Sequence, residues 1–133
     1  MHINSQKHSD IVFNSIGALV EAQGDDSLPA RRYKSLAKRA GGILRTVGLV
    51  QFLSFLAAKA GESHYRSLLD HLTRELDAID AVPATTPVTL LSKVRQMDLP
   101  DYMRTTSLAL QLLQWHGRIS DIMITGTAGG DAS

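Results

Sequence analysis

A chain of 133 residues, 44% hydrophobic and 20% charged, can bury a core as one domain without a covalent or metal staple. It contains no cysteine, which excludes disulfide frameworks, thiolate metal sites and cysteine nucleophiles together and suits a reducing compartment. The formal net charge of +1 hides an uneven distribution, which carries more information than the sum.

In chain order, Ile11, Val12, Ile16, Leu19 and Val20 recur at helical spacing and predict a first helix from about Ile3 or Ser9 to Ala22. Ser9 or Asp10 is its expected cap, and Gln23-Gly24-Asp25-Asp26 ends it. Ser27-Leu28-Pro29 opens a second helix, with Ser27 as cap and Pro29 in the first turn, where a missing N–H costs nothing. Tyr33, Leu36, Ala37, Ala40, Ile43, Leu44 and Val47 fall on one side of this helix. Arg31, Lys34, Lys38 and Arg45 fall on the other, with Arg32 and Arg39 on a flank.

At Gly48 the apolar register shifts. Leu49, Val50, Phe52, Leu53, Leu56, Ala57 and Ala60 form a new stripe that predicts a bend, then a third helix ending at Gly61. Ser63 is the expected cap of a fourth, whose buried side is Tyr65, Leu68, Leu69, Leu72, Leu76 and Ile79. Ala81 to Pro87 reads as a loop and Val88 to Val94 as a short helix. A long final helix runs from about Pro100 to Ile124, with Met103, Leu108, Ala109, Leu112, Leu113, Ile119 and Met123 as its apolar residues. The expected fold is therefore all-α, a compact single-domain bundle of about five or six helices over residues 1–125, with a flexible tail over 126–133. The apolar run Val47 to Ala60 is short and broken by Gln51, Ser54 and Lys59, so no membrane span is expected. Met1 to Asp10 is polar and lacks the apolar core of a secretion signal, which makes the cytoplasm the expected location.

Motifs for catalysis are missing. His64 and His71 stand seven apart, two helical turns or about 10 Å, too far to share one ion. No HxxxH or HExxH spacing occurs, so the five histidines read as ordinary surface or half-buried residues and no metal site is expected. Asp77 and Asp80 read as solvated charges. Neither GxSxG nor GxxxxGK[ST] is present, and a non-enzymatic protein without a cofactor follows as the expectation.

The basic second helix stands out. Between Asp26 and Glu62 there is no acidic residue, while Arg31, Arg32, Lys34, Lys38, Arg39, Arg45 and Lys59 supply seven of the fourteen basic side chains. A charge run is ordinarily a solvated face, but solubilising faces usually mix signs through i,i+4 pairs. Its arginines can fork onto phosphate oxygens. A polyanion or an acidic protein surface is the partner such a helix suits. Trp115, the single tryptophan, reads as core by default, and its polar neighbours Gln114 and His116 also allow a stacking or subunit contact.

Together these segments resemble the small subunit of type III-B CRISPR effector complexes, the Cmr or RAMP-module complexes. Arg32-Tyr33-Lys34 opening the basic helix, Ile43 to Thr46 before Gly48-Leu49, and Phe52-Leu53-Ser54-Phe55-Leu56 with Lys59 carry the resemblance. So do Tyr65 to Leu72, Tyr102, Ala109-Leu110, and Leu112-Leu113-Gln114-Trp115 with Arg118. The resemblance spans roughly Leu28 to Ile124. It departs from the family's pattern at Val47, where a polar residue is expected, and at Leu108, where an acid is expected.

The resemblance implies an all-α, non-catalytic subunit that stacks with copies of itself beside the backbone filament and bridges toward the large subunit. Its RNA partner would be the duplex of crRNA and target. RNA contact would fall on Arg31, Arg32, Lys34, Lys38, Arg39 and Arg45, and subunit contact on Trp115 and Arg118. A protein–protein adapter that never touches RNA, and the small subunit of type III-A complexes, are the alternatives.

Overall fold

The computed structural model describes residues 4–126. Six helices follow one another: α1 (Asn4–Gln23), α2 (Leu28–Val47), α3 (Leu49–Ala58), α4 (Ser63–Ala78), α5 (Pro87–Arg95) and α6 (Leu99–Met123). No strand occurs among the described residues. The tail expected over 126–133 lies outside them, apart from Gly126.

One local device starts α2, α5 and α6. Ser27 Oγ accepts from Ala30 N at 3.2 Å, Thr86 Oγ1 from Thr89 N at 3.2 Å, and Asp98 Oδ1 from Asp101 N at 3.0 Å. Each cap is followed by a proline in the first turn, Pro29, Pro87 and Pro100. The side chain satisfies one orphan donor and the proline removes another.

The caps of α1 and α4, and the end of α3, differ from expectation, while α1 begins next to Ile3 and α3 directly after Gly48. Ser9 and Asp10 lie inside α1, which already begins at Asn4. Ser63 is the first residue of α4 rather than its cap, and Glu62 in the cap position makes no side-chain bond to the helix. The third helix stops at Ala58, three residues before Gly61, and a turn closes with Glu62 N on Lys59 O at 3.0 Å.

Gly48 makes the bend that the register shift requires. Its φ of 85° lies in the region that glycine alone enters without strain. Its N–H closes α2 on Leu44 O at 2.8 Å, and its carbonyl accepts Phe52 N at 2.9 Å as α3 begins. No side chain at Gly48 can cap α3. Tyr102 of α6 does so instead, its hydroxyl accepting Val50 N at 3.1 Å.

Helix α2 is the hub: it packs most extensively on α6 and also touches α1, α3 and α4. The α2–α6 pair is antiparallel, with Lys34 beside Ile124, Gly41 beside Leu110 and Gly48 beside Tyr102. Gly117 lets the two backbones approach. A Cβ at Gly117 would meet the α2 backbone in van der Waals contact, 3.5 Å from Ala37 O and 3.6 Å from Lys38 Cα. Leu36, Leu44, Phe52, Leu68, Leu72 and Leu76 fill the interior between the layers, all fully buried.

A polar chain crosses this core. The Tyr33 hydroxyl lies 2.7 Å from His71 Nδ1 and 2.8 Å from His116 Nδ1. His116 Nε2 lies 2.8 Å from both oxygens of Glu75, and Ser15 Oγ donates to Glu75 Oε2 at 2.7 Å. Four helices, α1, α2, α4 and α6, are thereby joined through Ser15, Tyr33, His71, Glu75 and His116. This corrects the expectation that the histidines are ordinary surface or half-buried residues. His116 is fully buried, and His71 and Glu75 are 5% and 1% exposed.

A phenol has one proton, so Tyr33 can donate to one imidazole only and must accept from the other. The histidine rings stack at 5.8 Å with an interplanar angle of 9°, and Tyr33 meets both edge-on. Burial, above all, holds the Tyr33 hydroxyl well above its ordinary pKa, with Glu75 adding to the effect. Desolvation, reinforced by His116 and Arg74, lowers His71 to about 3.

Two outcomes follow. Gly48→Ala forces a Cβ into a left-handed bend and is expected to cost about 1–3 kcal/mol in urea unfolding. For His71 the unfolded ring, with a pKa of 6.5, binds a proton that the folded ring refuses down to about 3. Stability from this group is complete above the upper value and lost as pH falls between the two. His71→Gln should flatten the decline of the urea midpoint across that window; an unaltered decline would remove His71 as its source.

Candidate nucleic-acid interface

Because Tyr33 is pinned inward, the rotation of α2 about its axis is set, and the cations take their places from it. They do not form one face. They divide into three groups with different surroundings.

Arg31 and Lys34 turn toward the end of α6. Arg31 is half-buried, with Nε 3.9 Å from Asp26 Oδ1. Lys34 is 9% exposed, and its ammonium donates to Ile124 O at 3.0 Å and Gly126 O at 3.2 Å. Asp121 Oδ1 stands 3.7 Å from the same nitrogen. The last carbonyls of a helix lack internal partners and carry partial negative charge, so a lysine beside them is a favourable terminal ligand. Lys34 is therefore a structural clasp on the α6 terminus, a correction to its expected place among the solvent-facing RNA contacts.

Arg32 and Arg39 are both exposed, and their charges are felt at His64 of α4. Desolvation lowers the pKa of His64, and the positive fields of Arg32, Arg39 and Lys59 act in the same direction against Glu62. Lys59 Nζ stands 5.8 Å from the Phe55 ring centre and 5.4 Å from that of Tyr65. These three cations share the positive field felt at His64.

Lys38 and Arg45 open onto the groove between α2 and α6, an open depression of about 300 Å3. Arg118 of α6 lines the same groove, with Gln114 beside it and Gly41 and Gly42 on the α2 side. Arg118 holds its guanidinium 5.4 Å from the Trp115 ring centre, and Trp115 is half-buried against the core. Tryptophan thus fixes the arginine by a cation–π contact, with the charge still exposed.

One carboxylate enters the groove. Asp121 Oδ1 is 3.1 Å from Lys38 Nζ, and both side chains are 50% exposed. The acid-free stretch from Asp26 to Glu62 foreshadows nothing of this, because Asp121 arrives from another helix. Gln114 and Arg118 as groove residues are equally invisible until α6 is laid antiparallel on α2.

The buried chain has serine, glutamate and histidine in contact, yet the carboxylate stands in the middle. Ser15 donates to Glu75 rather than to an imidazole, and His116 is sealed from solvent. This arrangement braces a core and presents no base to an incoming substrate. Among the described residues no three His, Asp or Glu side chains converge as a metal-binding group, and no helix is long and apolar enough to cross a membrane.

A search of curated protein sequences returned no significant match. Among solved structures, the fold is similar to the X-ray crystal structure of a CRISPR-associated Cmr5 family protein from Thermus thermophilus, with a TM-score of 0.76 at 20% sequence identity. That superposition covers 92% of this chain and 99% of the Thermus chain. At this identity it establishes the shared fold. The family model described as CRISPR-associated protein (Cas_Cmr5) matches residues 4–123, nearly the whole chain. The six-helix protein therefore belongs to the Cas_Cmr5 family of CRISPR-associated proteins.

Proposed function

We propose that this chain is the non-catalytic small subunit of a type III-B CRISPR effector complex and contacts RNA through the α2–α6 groove. The observation that carries the reading is convergence: Lys38 and Arg45 from one helix and Arg118 from another open onto one exposed groove. Arginine and lysine in that setting address phosphate oxygens, and contact directed to the sugar-phosphate chain is indifferent to base identity. Such indifference suits a subunit of a guided complex, in which sequence is read by base pairing between guide and target. Arg32, Arg39 and Lys59 offer a second strip along which the same chain can continue.

The partners in this reading are the backbone subunit, the large subunit, further copies of this chain and the crRNA–target duplex, in the cytoplasm. Trp115, which holds Arg118 at the edge of the groove, is the proposed subunit contact, and Arg118 itself is shared between that contact and the groove. A single copy neutralises few phosphates and binds weakly, and stacked copies gain through effective concentration.

Charge reversal tests the site. Lys38→Glu with Arg45→Glu is expected to weaken target-RNA binding by the assembled complex and to reduce the salt slope by about 0.7 for each phosphate no longer neutralised. The fold should survive, since both side chains are exposed or half-exposed. Unchanged RNA affinity with loss of co-purifying protein subunits would instead identify the groove as a docking face for an acidic protein.

A further inference from the structure

We infer that Asp121 is a detachable internal counter-ion, holding Lys38 until an RNA phosphate takes its place; this rests on the proposed RNA contact at the groove. The carboxylate meets Lys38 at 3.1 Å and Lys34 at 3.7 Å, and unlike Lys34 it is not buried. Half of its side chain faces solvent on the same groove that Arg45 and Arg118 line.

Three physical features set its behaviour. First, Asp121 lies in the last turn of α6, where helix carbonyls already concentrate negative charge and an acid is disfavoured. Its position is maintained by the two lysines rather than by the helix. Second, the Lys38–Asp121 pair is solvated on both sides, and such exposed pairs are weak. A phosphate, which brings more acceptor oxygens and greater charge density, can displace the carboxylate at low cost. Third, the neighbouring cations are differently occupied. Lys34 has Ile124 O at 3.0 Å and Gly126 O at 3.2 Å as acceptors closer than Asp121, so release of the carboxylate leaves the α6 clasp its own partners.

The consequence is a threshold on binding. Weak or isolated anions compete with Asp121 at one lysine only. An extended chain that also reaches Arg45, two helical turns or about 10 Å along α2, and Arg118 across the groove wins the exchange through several contacts at once. Asp121 thereby selects for a polymer over a single phosphate.

The full-length chain can be titrated with a short fluorescent oligouridylate at low ionic strength, where surface electrostatics are least screened. Asp121→Asn keeps an acceptor for the lysines and removes the charge; it should bind about fivefold tighter, the equivalent of one exposed ion pair. The same substitution in a Lys38→Met background should give a gain at most half as large. A gain equal in both backgrounds would overturn direct exchange at Lys38, leaving only a general field effect. No gain, or a loss in a variant whose thermal melt matches the parent, would overturn the inference as well. Asp121→Ser serves where the amide variant melts early. If the Lys38→Glu, Arg45→Glu protein binds oligouridylate as well as the parent does, the RNA reading itself fails, whatever Asp121 does.

Discussion

A buried hydroxyl governs the orientation of everything exposed on α2. Tyr33 sits between His71 and His116 with no solvent access, and each of those contacts belongs to a different helix. Apolar packing alone leaves a helix some freedom to rotate, because leucines tolerate small shifts of register. A polar group in the core does not, since an unpaired buried donor or acceptor costs about 1–3 kcal/mol. The bond pair at Tyr33 therefore fixes the rotational setting of α2. Side chains on the opposite arc, Lys38 and Arg45 among them, are aimed by it at the groove with α6.

The same pinning explains which parts of the molecule were legible in one dimension. Ser27-Leu28-Pro29, Thr86-Pro87 and Asp98-Leu99-Pro100 are local signals, because a cap and its N–H lie three residues apart. The bend at Gly48 was visible for a similar reason, as a shift of apolar register inside a few residues. The polar core was not visible. Its bonds join residues separated by 38, 41, 60 and 83 positions, and no periodicity in one helix reports a partner in another. His71 even falls beside the apolar stripe of α4, where a wheel offers no distinction between a core histidine and a half-buried one.

Lys34 shows the limit at a single residue. On a wheel it belongs with Arg31, Lys38 and Arg45, and charge alone favours a solvent-facing place. Its actual position follows from the end of α6, whose carbonyls at Ile124 and just beyond need a donor that no residue of α6 supplies. A lysine stem long enough to run along the helix surface brings an ammonium there. The basic face predicted as one surface is divided because one of its members has this second task, and because the fields of Arg32 and Arg39 reach His64 while Lys38 and Arg45 line the groove.

Division of the cations changes the kind of recognition that the surface can offer. Six charges on one ridge would attract any polyanion and release it only at high salt. Two patches separated around α2, one of them carrying its own carboxylate, hold less charge at any single point and respond to the path of a chain across them. For a polymer that follows both patches the contributions accumulate, and for a compact anion they do not. In the proposed role weak individual contacts are an advantage, since a subunit that bound stray RNA strongly would be occupied before it met a guide. The buried brace and the exposed half-neutralised groove are complementary: the core bears the rigid, costly polar contacts, and the Lys38–Asp121 pair at the surface stays solvated.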